Sequence, residues 1–551
     1  MIDFIQASVI VLILGLVLAL SRVLAPYITR VFARVPSRLD RVLNPFEKLI
    51  YRLGGVNPTH SMGWKEYFVS LALLNVFQMA LAFLVFFFQD RLPLNPQRFR
   101  GLTWDLAFMQ VISFGTNTNL QHYNGEATLS YLSQMTAVQF LQFTSAASGI
   151  CAAVAFVRGF RTGSKDLGNF YVDFVRSLTR ILFPICLVAS LILVWLGVPQ
   201  TLSGYTAMKT VEGATQTILV GPVASLVSIM QVGTNGGGFY GANSAYPFQN
   251  PNPTSDVLEI ILMLLMPTVM CFVYGEMLGK KKESRPILWA SYALFVIDLV
   301  IAFIPDPMLG RGMEVRFGGF FSAFWTVVTT AVTTGSVNAS LSAIHPLVIL
   351  SAFMGMLIQA TPGGKGVGLM YMVMYVVITV FIVGLMSGRT PEYLGMKINA
   401  RDVALVMFAF LVHPIIILIP TVLAYATGAA NAIGVGGNSI GFTQTLYEFA
   451  SAAANNGSDF FGASANTIFF NISTALVMLA GRFAPIGFLL ALAGSMVGRK
   501  RSAEVGLKTD SITLSIVLVG STLILVALTF FPFLALGPIL SHLQGHVSGF
   551  G

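Results

Sequence analysis

The sequence predicts an all-α polytopic membrane protein, and three observations carry that prediction. Of 551 residues, 55% are hydrophobic and only 10% charged, against roughly 25% charged in an ordinary soluble domain. Mean hydropathy is +0.77. The apolar residues fall in runs of about 20, the length a helix needs to cross the hydrocarbon layer, with the basic residues in short clusters between them. The formal net charge of +9 therefore does not point to nucleic acid, which needs a basic face on a soluble fold. The three cysteines, Cys151, Cys186 and Cys271, all lie inside apolar stretches, so a disulfide framework is excluded.

In chain order the candidate spans lie near 4–25, 67–90, 129–157, 180–199, 256–279, 287–305, 344–388, 402–427, 468–498 and 511–535. That makes ten, with 344–388 taken as one long interrupted element. The first is a span rather than a secretory signal, because Met1-Ile2-Asp3 carries no positive charge and no small-residue cleavage site precedes Arg22. Lys and Arg set the orientation. The loops 26–66, 158–180, 280–286, 389–401 and 499–508 hold 23 of the 32. The alternate loops hold six, Arg91, Arg98, Arg100, Lys209, Arg311 and Arg316, and Arg22, Lys365 and Arg482 lie within apolar segments. The heavy loops are expected to be cytoplasmic and both termini outside.

The outside connections carry the signal for function. Each holds a short apolar stretch, Trp104–Phe114, Pro222–Val232, Phe321–Thr330 or Thr443–Ala454. At about 1.5 Å per residue such a helix covers roughly half the hydrocarbon layer, so it must enter and return. Pro222 suits a first helical turn, where its missing N–H costs nothing. A small polar cluster follows each stretch: Gly115-Thr116-Asn117-Thr118, Gly233-Thr234-Asn235-Gly236, Thr333-Thr334-Gly335 and Asn455-Asn456-Gly457. Aligned on their last residues, the clusters are 118, 99 and 122 residues apart. The second and fourth match further, Asn235–Ala242 against Asn456–Ala463, with five of eight positions identical. Repetition at this period predicts four copies of a span–re-entrant segment–span unit. We divide the chain into an N-terminal span and basic segment (1–66), repeats at 67–165, 166–285, 286–400 and 401–505, and a C-terminal span with an outside tail (506–551).

Four facing Thr/Asn/Gly clusters fit ion dehydration. A cation entering a membrane loses water oxygens, and backbone carbonyls replace them without adding net charge. Glycine permits the backbone that turns carbonyls inward. Irregular backbone at membrane depth is tolerated where it lines a polar cavity. The short helices would aim their partly negative C-terminal ends at the same point, favouring a cation. Taken singly, each cluster is also an ordinary turn sequence; four in equivalent places are not.

These stretches resemble the potassium-binding A subunit of the bacterial Kdp-type, ATP-driven potassium pump, over essentially the whole chain. The most specific are Thr116-Asn117-Thr118-Asn119 with Gln121, Gly233–Phe239, Ser451–Ser458, Gly388–Gly395 and Ala535–Pro538. The third loop departs from the family, with Thr333-Thr334-Gly335 where the family pattern is Ser-Cys-Gly. The resemblance implies a four-repeat potassium transporter fold, with K⁺ as the bound substrate ion held by the four clusters. It implies a P-type ATPase catalytic subunit and small accessory membrane subunits as partners, a place in the bacterial inner membrane, and an affinity role for Gln121 at the mouth of the pore.

Three polar features lie inside the apolar segments. Gln359–Gly368, with Thr361, Pro362, Gly363, Gly364, Lys365 and Gly366 at its heart, has too much glycine and proline for continuous helix. It reads as a gating loop beneath the filter, where Lys365 would face an aqueous cavity or a carboxylate. Were it a simple turn, 344–388 would become two spans and Arg499-Lys500-Arg501 would move outside, against the charge rule. Arg482 reads either as a guard on the inner side of the pore or as a structurally paired or snorkelling residue. Lys280-Lys281-Lys282 needs only topology and anionic lipid phosphates. No phosphate-binding loop or Asp-Lys-Thr-Gly motif occurs, and no thiolate cluster for a transition metal. The largest cytoplasmic loop is too short for a nucleotide-binding domain. The chain is thus expected to be non-catalytic, a K⁺-selecting subunit driven by ATP hydrolysis on a partner; the alternative is a self-contained channel-like or symport K⁺ transporter.

Overall fold

The computed structural model describes residues 4–305, 315–364, 366–501 and 509–544. Among these, ten helices are long and apolar enough to cross a membrane: Phe4–Phe32, Trp64–Phe87, Tyr131–Phe160, Phe170–Trp195, Pro253–Met277, Lys281–Phe303, Val367–Met386, Ala400–Ala426, Ile468–Met496 and Ile512–Leu543. In lipid a backbone must satisfy its own hydrogen bonds, which is why apolar runs become helices. The protein is an all-α polytopic membrane protein. Polar side chains mark the helix starts. Asn252 accepts the Thr254 and Ser255 N–H groups ahead of Pro253, and Thr467 and Ser511 cap their helices in the same way.

Tyr131–Phe160 lies at the centre, buried along nearly its whole length. Its Ala146, Ala147, Gly149, Ala152, Ala153 and Gly159 allow neighbouring helices to approach closely. A Cβ at Gly159 would meet the backbone of Ala493 in the span Ile468–Met496.

Two expectations needed correction. The span expected from 180 starts at Phe170, because its charges are paired: Arg158 bonds Asp173 in two places, and Arg180 bonds Glu47 at 2.6 and 2.9 Å. The basic segment 26–66 is not all loop but contains a helix, Asp40–Leu53. A two-stranded hairpin, Thr206–Lys209 against Thr215–Ile218, also stands in the connection before the second short helix, where no strand is expected.

The basic loops share one face. Asn169 donates to the Asn57 and His60 carbonyls. The Phe160 and Tyr393 rings meet, Arg499 donates to the Lys397 carbonyl, and Thr509 donates to Glu283. These contacts chain the described parts of the loops 26–66, 158–180, 389–401 and 499–508 in a row, and Thr509, just past the last of them, reaches the loop 280–286 at Glu283. On the opposite face Tyr205 donates to the Glu126 carbonyl and Arg316 to the Asn250 and Ala245 carbonyls. Arg311, Lys508 and the tail from 545 lie outside the described residues.

The interrupted element is split as its glycines require. Pro346–Ile358 runs from His345, whose ring meets His542, to Gln359 in a left-handed conformation. Val367–Met386 then continues to the basic face, ahead of Tyr393, which bonds Tyr274. The two pieces therefore form one crossing from face to face.

Candidate ion-binding site

Four short helices, Trp104–Gly115, Val223–Val232, Gly318–Ala331 and Ser439–Ala453, stand between the long ones. The third and fourth begin three and four residues before the expected stretches; Asn438 caps the fourth through the Gly441 N–H. After each helix the chain turns sharply in the same way. Thr118, Asn235, Thr334 and Asn456 donate their N–H groups to Ser113, Met230, Thr329 and Ser451, at 2.7–2.9 Å and always five residues back. The residues just before these four, Asn117, Thr234, Thr333 and Asn455, have φ of 64°, 45°, 46° and 51°, and those just after, Asn119, Gly236, Gly335 and Gly457, have 58°, 90°, 88° and 106°.

This shared geometry corrects the repeat register read from the sequence. Alignment on last residues puts Thr118 against Gly236; the backbone puts Asn119 there, and Thr118 against Asn235, Thr334 and Asn456. By residue type alone Thr116-Asn117 reads like Thr234-Asn235. The register follows from the backbone: Asn119 at φ 58° takes the left-handed place that Gly236, Gly335 and Gly457 hold, and asparagine visits this region more readily than most residues other than glycine.

The loops close into a ring. A Cβ on Gly236 would overlap the Thr334 carbonyl oxygen, one on Gly335 that of Asn456, and one on Gly457 that of Thr118. At the remaining joint Asn119 Nδ2 donates to the Asn235 carbonyl at 2.6 Å, and Asn117 Nδ2 to the Thr234 carbonyl at 2.7 Å. The cyclic order is therefore loop 1, 2, 3, 4 and back to 1, with four equivalent carbonyls at the joints. Asn455 Nδ2 reaches Thr118 Oγ1 at 2.9 Å and Asn456 Nδ2 the Thr329 carbonyl at 3.0 Å. Thr116 Oγ1 bonds Ile112 O behind the first loop, and Gly233 caps the second helix. Gln121 grips the second loop through both backbone groups of one residue: its Nε2 donates to Gly238 O at 3.2 Å and its Oε1 accepts the Gly238 N–H at 3.0 Å.

Beneath the ring is a small cavity lined by Thr333, Asn455, Gln359, Gly364, Tyr371 and Arg482, among others. The interrupting loop forms one wall. Gly363 N–H donates to the Ala331 carbonyl at 3.0 Å, Thr361 Oγ1 to the same oxygen at 3.3 Å, and a Cβ on Gly364 would meet Thr333 Oγ1. Pro362 lies between them, and Gly366 packs against Gly149 and Ala153 of the central span. Lys365 lies outside the described residues. Arg482 is buried rather than snorkelling, and its Nη2 donates to Ser145 O at 3.0 Å. Ser145 Oγ in turn has Asn117 Oδ1 at 3.0 Å and Asn235 Oδ1 at 3.3 Å as acceptors within reach of its single proton.

Sequence reasoning missed the polar braces behind the ring. Buried His122, just past the first loop, meets Glu448 of the fourth short helix at 3.1 Å and Asn471 at 2.7 Å; Asn471 donates to Asp105 at 2.8 Å. Behind loops 2 and 3, Glu259 accepts from Gln231 at 2.6 Å and Ser244 at 2.8 Å, and Asp256 from Asn250 and Asn338. The partners are up to 366 residues apart in sequence, so no local pattern exposes them.

Residues 11–543 match the family model described as potassium-transporting ATPase A subunit. Among similar proteins is the potassium-transporting ATPase potassium-binding subunit of Caldanaerobacter subterraneus subsp. tengcongensis, 42% identical over 96% of this chain and 98% of its own. The protein of the same name from Alicyclobacillus acidocaldarius is 45% identical over 95% and 96%, and that of Gloeobacter violaceus 43% over 96% of each. With a match along nearly its whole length, the chain belongs to the potassium-transporting ATPase A-subunit family.

Proposed function

We propose that this chain is the K⁺-binding and K⁺-selecting membrane subunit of a multisubunit, ATP-driven potassium uptake pump. It is not catalytic by itself. The observation that carries the reading is the closed ring of four equivalent carbonyls, Thr118, Asn235, Thr334 and Asn456, each after the C-terminal end of a half-length helix. Carbonyl dipoles and helix ends together offer a dehydrated cation oxygens without net charge. The cluster residues from Thr116 to Thr118, Gly233 to Gly236, Thr333 to Gly335 and Asn455 to Gly457 build this filter, and Asn119 joins them.

K⁺ enters past Gln121 from the face opposite the basic loops. Below the filter the loop Thr361–Gly366 closes the route, and the Arg482 guanidinium, held on a carbonyl rather than on a carboxylate, stands as a positive barrier in the cavity wall. The basic face is cytoplasmic, both termini are outside, and the membrane is the bacterial inner membrane. Anionic lipids meet the basic loops. A P-type ATPase subunit and small accessory membrane subunits complete the pump, with no nucleotide, transition metal or nucleic acid on this chain, and the four repeats follow the boundaries set out from the sequence. The names of the relatives favour the pump over a self-contained transporter.

The test is K⁺-stimulated ATP hydrolysis by the assembled complex, compared with stimulation by Na⁺. We expect stimulation by K⁺ alone. ATP-independent K⁺ flux through the isolated chain in liposomes, with no K⁺ effect on a co-purified ATPase, overturns the reading in favour of the self-contained transporter.

A further inference from the structure

The helix Asp40–Leu53 on the basic face is amphipathic in an unusual sense. A surface helix of a soluble protein turns its apolar stripe to the core and its polar stripe outward. Here the polar stripe faces the protein. Arg180 of the span Phe170–Trp195 bonds Asp40 at 2.5 Å, Asn44 at 2.8 Å and both carboxylate oxygens of Glu47, and Thr179 adds a bond to Glu47 at 2.9 Å. Glu47 and Arg180 are 2% and 4% exposed. The guanidinium of Arg180 holds the Asp40 carboxyl below its ordinary value.

The apolar stripe is left outside. Leu39, Val42, Phe46, Leu49 and Leu53, spaced three and four apart, are between 47% and 80% exposed. A third stripe beside it carries Arg41, Lys48 and Arg52, all exposed.

Three observations say what covers the apolar stripe. The clamp residue Arg180 lies three positions before Phe183, where the outward face of the same span begins; Phe183, Leu187, Val188 and Leu191 are all exposed on it. The helix therefore sits at the level where the lipid-facing surface starts. The basic stripe flanks the apolar one, matching the charge of anionic headgroups above acyl chains. A single row of five side chains also falls well short of the roughly 800 Å² per partner of a stable protein interface.

We propose that Asp40–Leu53 is an interfacial helix. Val42, Phe46, Leu49 and Leu53 sink to the top of the acyl chains, and Arg41, Lys48 and Arg52 bind the phosphates of anionic phospholipids. The inference rests on the orientation and anionic-lipid reading above and locates its strongest contact, tying the first span and the Phe170–Trp195 span to one leaflet.

All three native cysteines are buried, so single exposed cysteines can be labelled. Phe46→Cys, Lys48→Cys and, within the lipid-facing surface, Leu191→Cys each receive a fluorescent label in the chain assembled with its partner subunits. The complexes are reconstituted in phosphatidylcholine vesicles with or without phosphatidylglycerol, carrying a spin-label quencher near the top of the acyl chain. The label at 46 is expected to be quenched severalfold more than that at 48. Reversing the basic stripe (R41E, K48E and R52E together) should lower quenching at 46 and remove its dependence on phosphatidylglycerol. Quenching at 191 with none at 46 overturns the interfacial helix and leaves the membrane reading standing; this includes a label at 46 that is dry yet unquenched, which would show a protein partner on the stripe. Absence of quenching at 191 overturns both.

Discussion

The first loop of the ring and the other three reach the same backbone shape by different chemistry. Loops 2, 3 and 4 place Gly236, Gly335 and Gly457 in the left-handed region, hard against the carbonyl of the next loop. Loop 1 places Asn119 there at φ 58° and spans its joint with a side-chain amide, 2.6 Å from Asn235 O. Three joints thus bring a glycine against the next carbonyl, and at the fourth a side-chain amide reaches that carbonyl instead. The contrast teaches that the ring demands a conformation rather than a residue. Glycine meets that demand by having no side chain. Asparagine meets it by tolerating the left-handed region and putting its side chain to use.

The largest effect should come from breaking a backbone joint. Gly236→Asp or Gly457→Asp adds a Cβ where the neighbouring carbonyl oxygen already stands and forces an L side chain into a left-handed conformation costing about 1–2 kcal/mol before any overlap. K⁺-stimulated ATPase activity of the assembled complex should be lost or need a K⁺ concentration raised by two orders of magnitude or more. An unchanged apparent K⁺ affinity in both variants would sink the filter assignment.

A smaller effect should follow from removing a brace. His122 and Glu448 are fully buried and tie loop 1 to the fourth short helix. Removing one partner of a buried pair typically costs about 3–5 kcal/mol, so Glu448→Ala should lower the thermal unfolding midpoint of the complex clearly. Glu448→Gln keeps an acceptor for the imidazole and should lower it less. On the other side of the ring Glu259 is held by an amide and a hydroxyl, so Glu259→Gln should be milder than Glu448→Ala. Equal destabilisation by all three would mean that the two sides are braced alike.

Much of this architecture was legible in the sequence, and what escaped did so for physical reasons. The ten spans follow from hydropathy because a bilayer rewards little else. Phe170 escaped as a span start because Asp173, Arg176 and Arg180 lower the local hydropathy, and their partners Arg158 and Glu47 lie on other elements. The helix Asp40–Leu53 has only 14 residues and mixes its apolar positions with five charged ones, Asp40, Arg41, Glu47, Lys48 and Arg52, so a search for spans passes over it. In the site, the residue types of the four loops were plain, but the register of the first was not. Backbone conformation sets that register: Asn119, and not Thr118, holds the left-handed place of Gly236, Gly335 and Gly457, and residue type alone does not say so. The braces His122–Glu448 and Asn471–Asp105 join distant segments, and nothing local distinguishes them from other polar residues in a membrane protein.

Gln121 sharpens the comparison at the same joint, with an intermediate effect. It both donates to and accepts from Gly238. Arginine has no acceptor, so Gln121→Arg leaves the Gly238 N–H without its partner and places a fixed cation beside the ion's route. We expect apparent K⁺ affinity to fall by about tenfold, equivalent to roughly 1.4 kcal/mol. Gln121→Ala removes the grip without the charge and should fall less. Growth across a K⁺ titration separates them; a Gln121→Arg strain indistinguishable from wild type at limiting K⁺ would show an ordinary exposed glutamine.

The mildest change is the most direct test of the comparison itself. Asn119→Gly makes the first loop like the other three: glycine keeps the left-handed φ at no steric cost, so the ring should still close and K⁺ should still be preferred. What is lost is the amide that donates to Asn235 O at 2.6 Å and meets Asn235 Oδ1 at 3.1 Å. A hydrogen bond of this kind contributes about 0.5–1.5 kcal/mol net, so apparent K⁺ affinity should weaken by no more than about tenfold. Asn119→Val is the counterpart, because a β-branched residue is a genuine outlier at positive φ. It should damage K⁺ stimulation far more than glycine does, although valine is nearer to asparagine in size. Should valine be tolerated and glycine abolish stimulation, the side-chain bond rather than the backbone conformation would be what the first loop supplies. The equivalence of Asn119 with Gly236, Gly335 and Gly457 would then fail.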